Sequence, residues 1–243
     1  MTISWKLCTI KVIIQIERTV KALIKGLIFD MDGLLLDTEK YYFRCWIECA
    51  EEFGFHMKPR HALAVRSLSA KYAERYLKSV LGANFDYYAV RERRRQLVQE
   101  TIEKCGIQIK QGATELLEYC RENGIKTAVA TATPAERAKE HLSSIGLFKL
   151  FSEVVGGDST QNGKPAPDIY IKAASALSLK TSECIALEDS PNGIISAFSA
   201  GCNTIMIPDM TEPEEMLKPL LYGCCETLSD VITVLKKENK RGE

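Results

Sequence analysis

A chain of 243 residues can bury one large core, or a core with a modest insertion. Its 32 Lys plus Arg balance 32 Asp plus Glu, which removes any electrostatic case for nucleic acid or an anionic membrane as the main partner. Nine cysteines without a Cys-x-x-Cys, beside only three histidines, exclude the usual zinc spacings and suit reduced thiols in a cytoplasm.

The first apolar run, Leu7 to Ile16, carries Lys11 and is followed by Glu17 and Arg18. It is too short and too charged to span a bilayer, and it lacks the small-residue cleavage site of a signal peptide. Residues 1–22 read as an N-terminal extension: an appended strand or helix, or an over-early assigned start. From Leu23 onward short aliphatic runs recur: Leu23 to Phe29, Lys126 to Ala130, Glu153 to Val155, Cys184 to Leu187 and Thr204 to Ile207. Nearly continuous rather than alternating, they predict strands buried on both faces of a parallel sheet.

Helix signals fall between the runs. Thr133-Pro134-Ala135-Glu136 reads as a capping box with Gly146 as the stop, Pro167-Asp168 as a first turn running to about Leu177, and Ser190-Pro191 as a start ending near Gly201. The alternation predicts a doubly wound, Rossmann-like α/β core. It is interrupted between Asp37 and Cys105, where only helical periodicity is found. Tyr42, Cys45, Trp46, Cys49, Ala50 and Phe53 keep i, i+3, i+4 spacing, and Arg66 to Leu81 and Phe85 to Cys105 are predicted as two further helices. The expected organisation is a core of residues 23–36 and 108–243 with an all-helical cap, residues 37–107, inserted after the first strand. Within the insertion, Arg91-Glu92-Arg93-Arg94-Arg95 reads as a solvated helix face, with an arginine reaching a substrate phosphate as the sharper alternative. His56, His61 and His141 have no sequence-identifiable partner and are read as structural.

Three strand runs end in polar residues: Asp30, Thr131 and Glu188-Asp189. In an open α/β sheet ligands bind beyond the carboxyl ends of the strands, so these residues are expected at one edge. Ser190 and Thr133 are better read as helix caps. Converging carboxylates repel unless a cation holds them, and an oxygen-only set at Asp30, Asp189 and Glu188 favours Mg2+ over zinc. Lys164, in the loop Gly163-Lys164-Pro165-Ala166-Pro167, would neutralise phosphate oxygens out of the metal's reach and orient Asp30.

The ordered set Asp30-Met31-Asp32-Gly33, Thr131, Lys164 and Glu188-Asp189-Ser190 resembles the four motifs of the haloacid dehalogenase superfamily. Residues 26–39 and 187–193 resemble its beta-phosphoglucomutase-like phosphatase subgroup, which carries a helical cap. The resemblance implies that Asp30 attacks phosphorus to form an aspartyl-phosphate. It implies that Asp32 protonates the leaving alkoxide and then activates water, its backbone carbonyl facing the metal. Thr131 and Lys164 would hold the phosphoryl oxygens, and Asp30, Asp32, Glu188 and Asp189 would form the metal site. An acid at position 32 matches the phosphate-ester branch rather than dehalogenases.

A sugar-phosphate mutase is the alternative within the family. Mutases of this type place a His where this chain has Tyr42, and a Gly-x-Ser-Arg segment where it has Ser67-Leu68-Ser69-Ala70, with Lys71 next. A non-catalytic binding or regulatory protein is the alternative of another class. The expected substrate is a small phosphorylated metabolite, a sugar phosphate or a nucleoside monophosphate, contacted by Glu39, Tyr42, Trp46, Arg66, Ser69, Lys71 and Ala132. A cytoplasmic monomer is the default expectation.

Overall fold

The structure is a computed structural model and describes residues 23–239; the N-terminal extension lies outside the described residues. Six strands, β1 (Gly26–Phe29), β2 (Lys126–Ala130), β3 (Glu153–Val155), β4 (Cys184–Glu188), β5 (Asn203–Met206) and β6 (Gly223–Cys224), form one sheet in the order β3-β2-β1-β4-β5-β6. Every neighbouring pair is parallel. The chain winds outward from β1 through β2 to β3, then crosses to β4 on the other side. The winding therefore reverses between β1 and β4, where such sheets open a crevice.

Both faces of the sheet are covered, which is why its strands read as continuous apolar runs. Leu27, Phe29, Val129, Ile185 and Leu187 pack with α5 (Ala113–Glu122), α6 (Ala135–Ser144) and α9 (Asp230–Asn239). Ile28, Ala128, Ala130 and Ala186 face the other way, onto α7 (Asp168–Ala176) and α8 (Pro191–Ser199). No helix among the described residues is long and apolar enough to cross a membrane. All eight cysteines among them are free.

Between β1 and α5 lie four helices: α1 (Glu39–Glu52), α2 (Pro59–Ala64), α3 (Ala70–Leu81) and α4 (Tyr87–Cys105). They enclose a separate hydrophobic cluster that includes Trp46, Met57, Leu77, Phe85 and Val90. The two chain crossings between this layer and the sheet are tied together by backbone bonds, Asp37 N to Gln108 O at 2.9 Å and Lys110 N to Leu35 O at 2.9 Å.

Three elements differ from expectation. The helix expected from Arg66 begins at Ala70, because Ser67 adopts a φ of 57° and Ser69 N donates to Lys164 O at 3.0 Å instead of to a helical carbonyl. Arg66 to Ser69 is consequently a loop, preceded by the short unexpected helix α2. The two-residue β6 carries too little pattern to be read in sequence. Thr133 is not a cap: the N-cap of α6 is Pro134, Ala135 N donates to Asp158 Oδ1 at 2.9 Å, and Glu136 pairs with Lys139. Ser190 does cap α8, accepting from Gly193 N at 3.1 Å.

Leu117 is fully buried against the sheet. Leu117→Ala is expected to cost about 2–5 kcal/mol in urea denaturation, and a loss below about 1 kcal/mol would contradict close packing there.

Candidate active site

The register sets the site. Phe29 pairs with Val129 on one side and Leu187 on the other, so Asp30, Thr131 and Glu188 follow at nearly one level beyond the strand ends. Asp30 N extends the ladder to Leu187 O at 3.0 Å. The chain then turns at once: Leu35 N and Leu36 N both donate to Met31 O, and Gly33 takes a φ of 93°. A Cβ at Gly33 would lie 2.5 Å from Asp189 Oδ2, so the turn admits only glycine on both counts.

Lys164 is 1% exposed, and its ammonium donates to Asp30 Oδ1 and Glu188 Oε1, each at 2.6 Å. Burial alone would lower the ammonium, yet the two carboxylates hold it above its usual range. The Tyr170 hydroxyl also donates to Glu188 Oε1, at 2.5 Å, while Asp189 N and Ser190 Oγ donate to Glu188 Oε2 at 3.2 and 3.3 Å. Both oxygens of Glu188 are thus engaged within the protein. Its carboxyl rests on Gly193, where a Cβ would come within 2.0 Å.

Asp30, Glu188 and Asp189 are all buried, and each offers an oxygen within 4.8 Å of the others. Burial pushes Asp30 up to about 7, against the pull of Lys164 and with the push of Glu188. Burial likewise raises Asp189 well above the carboxylate range. Asp189 Oδ2 and backbone O accept from Arg66 Nη2 at 2.5 and 3.1 Å, whereas Oδ1 is buried with no partner. A crowded, all-oxygen set with one bare oxygen fits a hard divalent cation such as Mg2+; no His or Cys among the described residues joins it.

Asp32 lies outside this cluster. Thr38 Oγ1 donates to its Oδ1 at 2.7 Å and Thr133 Oγ1 to its Oδ2 at 2.9 Å, which aims the carboxyl. Thr131 Oγ1 accepts from Thr133 N at 3.1 Å.

These groups open into a cavity of about 400 Å³ between the sheet edge and the helical layer. Asp30, Asp32, Thr131, Ala132 and Lys164 line it from the core, and Glu39, Tyr42, Trp46, Arg66, Ser69 and Lys71 from the insertion. Glu188 and Asp189 do not line it. None of the histidines lines it; His56 instead pairs with Glu51 on the surface. Sequence reasoning missed Thr38, Thr133 and Tyr170. Thr38 adjoins Glu39 and Thr133 adjoins Ala132, and their hydroxyls were the available signal. Tyr170 carried none, since on α7 it is indistinguishable from a core position.

The arginine run divides. Arg93 turns outward to Glu52 at 2.9 Å and Glu100 at 3.6 Å, as a solvated face would. Arg91, Arg94 and Arg95 turn inward to line the cavity.

Residues 27–207 match the family model of haloacid dehalogenase-like hydrolases. A probable pseudouridine-5'-phosphatase of Drosophila melanogaster is 35% identical over 196 residues, 75% of this chain and 80% of its own. A phosphorylated carbohydrates phosphatase of Thermotoga maritima is 33% identical over 189 residues, 74% of this chain and 83% of its own. A solved beta-phosphoglucomutase of Clostridium difficile superposes with a TM-score of 0.76 at 20% identity, covering 90% of this chain and 99% of its own, and so shares the fold. The chain belongs to the haloacid dehalogenase-like hydrolases. Within that family it stands with the phosphatases, enzymes that hydrolyse phosphoric monoesters.

Gly193→Ala drives a methyl into the Glu188 carboxyl. It is expected to lower stability by about 1–3 kcal/mol, read as a fall in thermal midpoint; an unshifted midpoint would show that Glu188 does not rest there.

Proposed function

We propose that the protein is a Mg2+-dependent phosphatase that hydrolyses a small phosphorylated metabolite through an aspartyl-phosphate on Asp30. The observation that carries this reading is the pairing of two differently held carboxylates in one cavity. Asp30 is clamped by a buried ammonium at a strand end, and Asp32 is aimed by two hydroxyls two residues later.

In this reading Asp30 Oδ attacks phosphorus, and Lys164 carries the charge of the phosphoryl oxygens as the ester bond breaks. Thr131 Oγ1, its lone pair engaged by Thr133 N, has its proton free to donate to a phosphoryl oxygen. Asp32 protonates the departing alkoxide and then takes a proton from the water that hydrolyses the acyl phosphate. Mg2+ would be held by Asp30, Asp189 and the backbone carbonyl of Asp32, supplying charge neutralisation where anion meets carboxylate. Glu188 serves it indirectly, since both its oxygens are committed to Lys164, Tyr170, Ser190 and the backbone.

Residues 37–107 act as the cap, whose opening admits substrate and whose closure excludes water. The cap-to-core ties gather on one loop: Arg66 to Asp189, Ser69 N to Lys164 O, and Asn192 Nδ2 to the carbonyls of Ala64 and Arg66. Tyr42, at the place where mutases carry a His, favours water over a second sugar hydroxyl as the phosphoryl acceptor. The phosphatase names of the relatives support the same choice.

Hydrolysis of p-nitrophenyl phosphate tests the reading. Wild type should release phosphate only with Mg2+, Asp30→Asn should fall to background, and Asp32→Asn should lose about 10²–10⁴ in kcat. Equal rates for wild type and Asp30→Asn would overturn the mechanism. Mg2+ at about 100 times its Kd should add about 2.7 kcal/mol to folding stability. Asp189→Asn should abolish that gain, and a retained gain would move the metal elsewhere.

A further inference from the structure

Thr133-Pro134-Ala135-Glu136 has the makings of a helix cap, yet Thr133 does not serve α6. The helix takes its cap from Asp158 Oδ1, which accepts from Ala135 N at 2.9 Å. The loop carrying that acid lies tight against the helix start, since a Cβ at Gly156 would meet Ala135 N at 2.2 Å. Gly157 N in turn donates to Thr133 O at 3.1 Å, and the proline that follows narrows the backbone choices of Thr133. Thr133 is thus fixed by its main chain, and its hydroxyl is left to the cavity that it lines.

Thr133 N donates to Thr131 Oγ1 at 3.1 Å, and Thr133 Oγ1 donates to Asp32 Oδ2 at 2.9 Å. In the proposed mechanism Thr131 meets a phosphoryl oxygen and Asp32 the leaving oxygen, two atoms bonded to one phosphorus. The acid therefore has to be held at a fixed place relative to Thr131. Thr38, which donates to Asp32 Oδ1 at 2.7 Å, belongs to the same turn of chain as Asp32 and orients the carboxyl within that turn. Thr133 follows β2, 101 residues further on, and so ties the acid to the strand end that carries Thr131. Each carboxyl oxygen has two lone-pair directions, and the two threonines take one on each.

We infer that Thr133 is a positioning residue for proton delivery: its hydroxyl sets the acid Asp32 at a constant distance from the phosphoryl group that its own amide helps to place through Thr131. The inference rests on the proposed phosphatase reading. As the bond from Asp30 Oδ to phosphorus forms and the ester P–O bond breaks, the bonding pair stays on the departing oxygen and takes the proton of the Asp32 carboxyl. Asp32 is left a carboxylate, which a proton from the hydrolysing water restores to the acid. Without the Thr133 hydroxyl, Asp32 Oδ2 loses its tie to the core, and a misplacement of about 1 Å costs on the order of 10² in rate. That cost falls on esters whose leaving oxygen needs the proton. Nitrophenolate departs as a stabilised anion, whereas phenolate, basic like a tyrosine side chain with a pKa of about 10, departs poorly without one.

The two esters test it. The value of kcat/KM, which reports the step that breaks the ester bond, would be measured with Mg2+ for p-nitrophenyl phosphate and for phenyl phosphate. The proteins are the wild type, Thr133→Val, Thr133→Ala and Thr133→Ser. Thr133→Val and Thr133→Ala should lower the value for phenyl phosphate about tenfold or more beyond any fall with the nitrophenyl ester. Thr133→Ser, which keeps the donor, should hold the ratio of the two esters within about threefold of the wild type. In the Asp32→Asn background, Thr133→Val should shift the phenyl phosphate value by less than about twofold, because the group it positions is gone. The Val and Ala variants remove the hydroxyl with and without its volume, so a folding defect in one leaves the other to decide. No fall, an equal fall with both esters, a Ser variant as selective as the Val variant, or a loss that persists in Asp32→Asn would overturn the inference while leaving hydrolysis dependent on Mg2+ and Asp30. Phenyl phosphate hydrolysis unchanged by Asp30→Asn would overturn the phosphatase mechanism itself, and the inference with it.

Discussion

The ammonium of Lys164 between Asp30 and Glu188 is the interaction on which the site depends. Taking a lone cation out of water costs several kcal/mol, so its burial requires both carboxylates in place. That requirement reaches outward in each direction. Asp30 and Glu188 can flank one ammonium because β1 and β4 are adjacent and in phase at the switch point of the sheet. Glu188 is held beside Lys164 by Tyr170, Ser190 and a backbone amide, which supply its remaining donors, and α8 passes close enough to confine it only because residue 193 lacks a side chain. Removing one member leaves a buried charge unmatched, so the group behaves as a unit rather than as a sum of contacts.

The same lysine connects the core to the helical layer. Its carbonyl accepts from Ser69 N, two positions beyond the positive-φ residue Ser67 and three beyond Arg66 on Asp189. That loop is therefore bonded to both the lysine and the acidic cluster, while backbone bonds tie the crossings together at Asp37–Gln108 and Leu35–Lys110. Arg66 contributes a positive charge where the carboxylates are most crowded, and Glu39 at 3.8 Å helps to hold it there.

Much of this was legible in sequence, for identifiable reasons. Five strands were readable because burial on both faces makes them continuous apolar runs, and each polar residue ending such a run had to emerge at the sheet edge. The gap between Asp37 and Cys105 was readable because helical periodicity held through it. What escaped were features set by a single torsion or by distant partners. A positive φ at Ser67 turned an expected helical turn into a loop. Asp158 supplied the cap that Thr133 was expected to form, which released the Thr133 hydroxyl to Asp32. The run Arg91 to Arg95 could not reveal which of its members faced inward, because consecutive helical residues point in directions about 100° apart and only the packing of α4 on α1 selects among them.

The in-phase ends of β1, β2 and β4 bear on how such a chain can diverge over generations. One residue gained or lost within Gly26–Phe29 would shift Asp30 by about 3.3 Å along the strand and turn it to the opposite face of the sheet. No compensating change in a neighbour restores that register. A longer turn at Gly82–Asp86, between α3 and α4, disturbs no strand and no residue lining the cavity. Descent is thus free to stretch the intervals between the functional residues while holding each strand to its length, and the spacing from strand start to carboxylate is the part of the chain that drift cannot touch.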